Sequence, residues 1–149
     1  LGAGLSRRGA KIIQVSSEDR ANGHGAANVL DGDSTTFWHT RWEPQSDPMP
    51  HELVIDLGRE LNLRGITCLP RQDQSNGRIA QAEVFCSTNG EFWSSAVGAA
   101  LWSNSEKLQT IEFRQTTKAR HLKLAIKSEV HGNPFAAVAE LGVITEEPN

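Results

Sequence analysis

Two segments of the sequence combine aromatic rings with forked or amide-bearing polar side chains, a combination suited to binding sugars. They are residues 37–42, Phe-Trp-His-Thr-Arg-Trp, and residues 71–78, Arg-Gln-Asp-Gln-Ser-Asn-Gly-Arg. Arginine, asparagine and histidine side chains can bind neighbouring hydroxyl groups, while an aromatic face covers the apolar C–H side of a sugar ring. His39 is equally compatible with a structural role, and Arg71 with a surface ion pair, so these residues alone leave the sugar interpretation open.

A third segment, residues 31–36, gathers short oxygen donors around a glycine in the order Asp-Gly-Asp-Ser-Thr-Thr. Calcium takes roughly six to eight oxygen ligands from carboxylates, hydroxyls and carbonyl groups. The spacing is not that of an EF-hand, and such a segment on its own is more often a capped turn. By itself it indicates a calcium site only weakly.

Motifs for catalysis or for other classes of partner are missing from the sequence. It contains no His-Glu-x-x-His, no nucleophile elbow and no phosphate-binding loop. The net charge of −3 at pH 7 gives no basic surface for nucleic acid or anionic lipid, and no stretch approaches the ~20 apolar residues of a membrane span. We therefore predict a protein that is not an enzyme, does not bind nucleic acid and does not insert into membranes.

The elements that position these segments are predicted to be β-strands, because short runs of alternating apolar and polar residues recur along the chain. The runs are residues 53–57, 65–69, 82–86, 110–113, 121–127 and 141–144. Helix is expected only as a turn or two over residues 25–30. The pattern favours an all-β protein, a β-sandwich or jelly roll of about eight main antiparallel strands with its function carried by loops at one end.

The length and composition predict one folded unit. With 149 residues, 38% of them hydrophobic, the chain can bury one core but not two. We predict a leader or linker over residues 1–12, a module over 13–144 and a linker tail over 145–149. Because the chain starts with Leu1 and its one methionine is Met49, we expect it to belong to a larger protein.

The two cysteines, Cys68 and Cys86, lie within apolar runs and lack the spacing of a zinc or redox motif. This placement favours buried free thiols over a disulfide.

Four stretches taken together resemble the coagulation factor V/VIII type C, or discoidin, superfamily. They are residues 26–33, 36–40, 71–78 and 136–141. Within this superfamily, Trp38-His39-Thr40 with Arg71 and Asn76 resembles carbohydrate-binding module family 32, whose members are accessory domains of bacterial glycoside hydrolases and sialidases. The resemblance covers about residues 13–144.

The resemblance implies a pocket for terminal galactose on loops at one end of a discoidin-like sandwich. His39 would bind the axial O4, Arg71 would hold O3 and O4, and Asn76 would reach a neighbouring hydroxyl. Phe135 would stack on the apolar face of the ring, although the local sequence also allows its side chain to fold into the core.

Three further residues are candidate sugar contacts with open roles. Trp42 would either form another wall of the pocket or pack beneath His39. Family members often carry an acidic residue where this sequence has Asn22, with Glu18 nearby, and this departure leaves one hydroxyl contact undetermined.

The resemblance also implies a structural calcium ion. Its ligands would be Asp31, Asp33 and Thr36, with the side chain of Glu140 and carbonyl groups near Asn28 and Ala139. An ion shared between residues 31 and 140 would close a very long loop and oppose unfolding.

The function that follows is a non-catalytic module that binds galactose, N-acetylgalactosamine or galactosides and targets a parent glycoside hydrolase to glycans. We expect a monomer located outside a bacterial cell, in its periplasm or on its surface. The alternatives are a discoidin-type lipid- or protein-binding adhesion domain and a small hydrolase that uses unrecognised carboxylates.

Overall fold

A computed structural model of the protein describes residues 5–6 and 8–146, so residues 1–4 and 7 of the predicted leader and residues 147–149 of the predicted tail lie outside it. In the described part, two 3₁₀ helices, Arg20–Asn22 and Ala26–Leu30, accompany eight strands. The strands are β1 (Lys11–Val15), β2 (Trp38–His39), β3 (His51–Leu69), β4 (Ile79–Ser87), β5 (Gly98–Leu101), β6 (Gln109–Glu129), β7 (Ala137–Val138) and β8 (Glu140–Thr145). The predicted all-β class and strand number are confirmed.

Strands β3 and β6 are long enough to serve both layers of the sandwich. The first half of β3, from His51 to Asp56, pairs with β1 and with residues 121–126 of β6. Its second half, from Leu63 to Leu69, pairs with β8 and with residues 109–117 of β6. Every pairing is antiparallel. The strand order is β1-β3-β6-β4-β5, in which β4 pairs with β6 on one side and β5 on the other.

The middle of β3 bends where its register with β6 shifts, between Asp56 and Leu61. Gly58, at which the first predicted run should have ended, has a φ of +83°. A glycine accepts this backbone conformation without strain, so the strand changes direction instead of stopping. Runs 53–57 and 65–69 are therefore two halves of one strand, and runs 110–113 and 121–127 are likewise both parts of β6.

Both ends of β3 lead to the same end of the molecule. His51 Nε2 donates to the carbonyl of Pro134 at 2.6 Å, and the carbonyl of Leu69 accepts the backbone N–H of Ala139 at 2.9 Å. The segment around residues 134–139 thus joins the two layers at the end opposite to the bend.

The core lies between the layers and includes Trp38, which is fully buried and donates its indole N–H to the carbonyl of Ser17 at 2.9 Å. Cys68 and Cys86 are free and buried, and burial raises the pKa of both thiols to about 12. Leu5 already belongs to this core. In the described part of the chain, no helix is long and apolar enough to cross a membrane.

Candidate functional site

A pocket of about 280 Å³ opens between the loops that connect the strands at one end of the sandwich. Its walls are Asp19, Asn22, His24, His39, Trp42, Arg71, Gln74, Asn76 and Phe135. Six of the seven predicted sugar contacts are in this set, and Glu18 is the exception. The volume lies near the lower end of the roughly 300–1,000 Å³ of small-molecule sites.

His39 reaches the pocket because β2 pairs with β7, which sets His39 opposite Ala137. The pairing continues at Thr40, whose N–H donates to the carbonyl of Ala136 at 2.9 Å, while its hydroxyl accepts the N–H of Ala136 at 3.0 Å. These bonds hold His39 beside the loop that carries Phe135.

The tautomer of His39 follows from its hydrogen bond. Its Nδ1 lies 2.5 Å from the carbonyl oxygen of Thr40. A carbonyl only accepts, so Nδ1 carries the proton and Nε2 offers a lone pair. Burial lowers the pKa of His39 below its usual 6.5, the charge of Arg71 adds to this effect, and the bond to Thr40 opposes it. The ring is therefore a neutral hydrogen-bond acceptor at pH 7.

Arg71 follows the end of β3 and is only 9% exposed. Its Nε and Nη2 donate to the two oxygens of Asp73 at 2.6 and 3.3 Å, and its Nη1 donates to the carbonyl of Asn76 at 3.3 Å. A guanidinium has five N–H groups, so these three bonds leave two donors for a ligand. Arg71 thus forms the ion pair that was considered for it and also presents a charged donor to the pocket.

The guanidinium group of Arg71 lies over the ring of Phe37. The guanidinium carbon lies 4.2 Å from the ring centroid, and the ring of His24 stacks on Phe37 at 4.1 Å. Phe37 therefore contacts both Arg71 and His24, and these two side chains also line the pocket.

Phe135 and Trp42 supply the aromatic surface. Phe135 is partly exposed, and its ring stacks on His39 with centroids 5.2 Å apart and planes 28° apart. Trp42 is 45% exposed and meets His39 edge-on at 6.4 Å. Both side chains line the pocket, so Phe135 is not folded into the core and Trp42 is a wall.

A buried carboxylate completes the pocket. Asp19 is 5% exposed and accepts bonds from Trp42 Nε1 at 3.0 Å and from Asn22 Nδ2 at 2.9 Å. The carboxylate of Glu18 is instead occupied outside the pocket, where it accepts the N–H of Ala26 at 2.8 Å and pairs with Arg20. The carboxylate beside Asn22 in the pocket is therefore that of Asp19 and not that of Glu18.

The sequence interpretation missed Asp19, His24 and Gln74 as walls of the pocket. Gln74 lies inside the polar segment 71–78 and accepts the amide of Asn76 at 2.8 Å, so this segment already pointed to it. Asp19 and His24 belong to no motif.

The predicted calcium ligands come together in part. The hydroxyl of Thr36 is hydrogen-bonded to a carboxylate oxygen of Asp31 and lies 3.1 Å from the carbonyl of Asp33. The carboxylate of Asp33 is turned to Thr35, whose N–H and hydroxyl it accepts at 2.8 and 2.6 Å.

The three remaining predicted calcium ligands are Asn28, Ala139 and Glu140. The carbonyl of Asn28 accepts the N–H of Asp31 at 3.3 Å. Strand β8, which begins at the buried Glu140, packs against the helix Ala26–Leu30, and Ala139 is fully buried. No three His, Cys, Asp or Glu side chains group for a metal among the residues the structure covers. The predicted ligands offer carboxylate, hydroxyl and carbonyl oxygens, which are the donor types that calcium takes.

Comparison with known proteins identifies a domain family and several relatives. The family model of the F5/8 type C domain matches residues 12–141. The chain is 37% identical to a sialidase of Micromonospora viridifaciens over 134 residues, and 32% identical to a galactose oxidase of Gibberella zeae over 145 residues. These alignments cover 89% and 96% of the chain but 21% of either relative, so the chain spans about a fifth of their length.

Solved structures of similar size also match. The Clostridium perfringens domain CpGH89CBM32-5, in complex with GalNAc-β-1,3-galactose, has a TM-score of 0.84 and 31% identity, with 97% of this chain and 99% of that domain covered. The family 32 carbohydrate-binding module of NanJ from C. perfringens, in complex with galactose, has a TM-score of 0.79 and 28% identity, with 93% and 94% covered.

Proposed function

Because the chain belongs to the F5/8 type C domain family and shares the structure of its family 32 carbohydrate-binding modules, we propose that it is a non-catalytic module for terminal galactose-type sugars. One observation carries this proposal. His39, Arg71 and Phe135 line a single pocket.

The chemistry of these three groups suits a hydroxyl that stands out of the sugar plane. A hydroxyl donates one hydrogen bond and accepts others, so O4 of galactose would donate to His39 Nε2 and accept from Arg71. Because O4 is axial in galactose, the ring could meanwhile lay its apolar C–H face on Phe135. Glucose carries this hydroxyl in the equatorial position and could not meet all three groups at once.

The remaining walls would select among galactosides. The Asp19 carboxylate and the Asn76 and Gln74 amides offer further acceptors and donors for neighbouring hydroxyls. A hydrogen bond to a charged donor contributes roughly 1.5–3 kcal/mol and a neutral one ~1 kcal/mol, and much of this is offset by ordering and desolvation. We expect a Kd of about 0.1–1 mM. Such a weak module would act through avidity, as part of a parent enzyme outside the cell to which it is tethered.

Calcium would have a structural role in this module. The side chains of Asp31, Thr36 and Glu140 and the carbonyls of Asn28, Asp33 and Ala139 would hold it. An ion bound there would fasten the turn before β2 to the start of β8 and would stabilise the folded state by mass action.

The experiment that tests the sugar proposal is an NMR titration of the isolated chain with galactose and with its C4 epimer glucose. We expect saturable shifts with galactose and at least about tenfold weaker binding of glucose, about 1.4 kcal/mol. Equal affinity for the two sugars, or binding of neither, would contradict the proposal. Pelleting with anionic vesicles would instead indicate a lipid-binding domain, and turnover of a chromogenic galactoside would indicate a hydrolase.

A further inference from the structure

Glu129, the last residue of β6, is a buried carboxylate that does not line the pocket. It is 3% exposed. One oxygen accepts the backbone N–H groups of His131 and Asn133 at 2.7 and 2.9 Å. The other accepts the N–H of Gly77 at 2.8 Å and the side-chain amide of Asn133 at 3.2 Å. Four donors therefore converge on one side chain.

These donors come from the two loops that carry the predicted sugar contacts. Gly77 belongs to residues 70–78, the loop that holds Arg71 and Asn76. His131 and Asn133 belong to residues 130–136, the loop that holds Phe135. The two loops lie more than fifty residues apart in sequence, and the carboxylate of Glu129 is bonded to both of them.

The loops also touch directly, in a way that only glycine permits. Gly77 has a φ of +94°, and a Cβ at this position would lie 2.8 Å from that of Ala137. Its carbonyl accepts the N–H of Ala137 at 2.8 Å. Nearer the surface, Ser75 Oγ and His131 Nε2 are 2.8 Å apart. The backbone at Gly77 is thus packed on Ala137, which directly follows the second loop, and Ser75 contacts that loop itself through His131.

An ionised carboxylate suits this position better than any other side chain. It accepts through two oxygens and donates nothing, whereas glutamine would replace one acceptor with an N–H₂ group that faces N–H donors. Burial alone would raise the pKa of Glu129, but the N–H groups of Gly77, Asn133 and His131 outweigh burial and hold the pKa below its usual 4.5. Glu129 is therefore charged at neutral pH.

We propose that Glu129 is a positioning residue of the sugar site, which fixes the two loops so that Arg71 and Phe135 face the same ligand. This inference rests on the proposed function. The carboxylate would not touch the sugar. It would act by setting the distance between Arg71 on one loop and Phe135 on the other. A sugar can contact both residues at once only if this distance is correct.

The test compares Glu129→Gln with a matched buried carboxylate at the other end of the molecule. Asp56 is 8% exposed and accepts the N–H of Gly58 at 2.8 Å and two bonds from Arg120 at 3.0 and 3.3 Å. It lies five positions along β3 from His51, or about 16 Å. Asp56→Asn should therefore lower stability without moving the pocket loops.

Two measurements are made on both variants, below their melting temperatures. Galactose affinity is measured by NMR titration, and hydrogen exchange is followed at the amides of Gly77, His131 and Asn133. For Glu129→Gln we expect a Kd raised by about tenfold or more, about 1.4 kcal/mol, with faster exchange in both loops. For Asp56→Asn we expect wild-type affinity and unchanged exchange at these three amides.

The inference is overturned if Glu129→Gln binds galactose like the wild type, or if Asp56→Asn weakens binding equally. If Glu129→Gln does not fold, Glu129→Asp keeps the charge and withdraws the carboxylate by one C–C bond, about 1.5 Å, and it should show a smaller loss of the same kind. If the wild-type chain binds no galactose, the proposed function fails on its own. In that case hydrogen exchange still tests whether Glu129 couples the two loops. If Glu129→Gln speeds exchange in only one loop, or in neither, the coupling is refuted.

Discussion

The forked side chain of Arg71 allows a sharp test of the proposed sugar pocket through the substitution Arg71→Lys. Lysine keeps the positive charge and the aliphatic stem but replaces five fixed N–H groups with one ammonium group. In the wild type, three of the five N–H groups hold Asp73 and the carbonyl of Asn76. An ammonium group that pairs with Asp73 cannot also replace the two guanidinium donors that these bonds leave over.

The expected magnitude follows from those two donors. Each would make a charge-assisted hydrogen bond to a sugar hydroxyl, worth roughly 1.5–3 kcal/mol before ordering and desolvation are subtracted. A net loss of about 2–3 kcal/mol corresponds to a roughly 30- to 150-fold higher Kd. Starting from the expected millimolar or submillimolar affinity, Arg71→Lys should show almost no saturation in an NMR titration with galactose.

The matched control is Arg120→Lys. Arg120 makes the same forked contact, with Nε and Nη2 donating to Asp56 at 3.0 and 3.3 Å, but it lies near the bend of β3. Its substitution should leave galactose affinity unchanged, and thermal melts of both variants check that each is folded. The reasoning is refuted if Arg71→Lys keeps the wild-type Kd within about twofold, or if Arg120→Lys loses as much affinity.

Three further predictions concern His39, the aromatic wall and calcium. Because His39 must be neutral to accept and its pKa lies below 6.5, galactose affinity should be constant from about pH 8 to 6.5 and fall only at lower pH; an NMR-derived Kd that rises already above pH 6.5 would contradict this. Phe135→Ala should raise the Kd about tenfold through lost stacking. Phe92→Ala should leave the same titration unchanged, because Phe92 is 79% exposed and lies outside the pocket. Excess chelator should lower the Tm by roughly 5–11 °C if calcium stands near a hundred times its Kd; identical melts of the calcium-loaded and chelated chain would remove calcium from the proposal.

Hydrophobic alternation predicted the strands that have one buried face, and it failed where that pattern is weak. Strand β1 is an edge strand with mostly exposed side chains, including Ile13 at 47% exposure. Strand β5, Gly-Ala-Ala-Leu, has side chains too small to show a period. The joining of predicted runs into β3 and β6 depends on a bend with continued pairing, and pairing between distant residues leaves no local pattern.

The candidate site was predictable to the extent that it consists of residue types with distinctive chemistry. His39, Arg71 and Asn76 stand in segments that combine rings with polar side chains, although their assignment to one pocket came from family resemblance and not from spacing. Glu18 and Asp19 show the limit. They are adjacent carboxylates, and only the packing of Trp42 and Ala26 around them decides which one faces the pocket.

The bend in β3 also determines where β1 begins and where β8 ends. Lys11, at the start of β1, is opposite Asp56, and Thr145, at the end of β8, is opposite Leu63, so both lie beside the bend. From Leu63 to Leu69 the strand advances about 20 Å toward the pocket. A domain joined to the chain after Thr145 would therefore lie at the end opposite to the pocket. The pocket would then stay sterically accessible to a polysaccharide or cell surface.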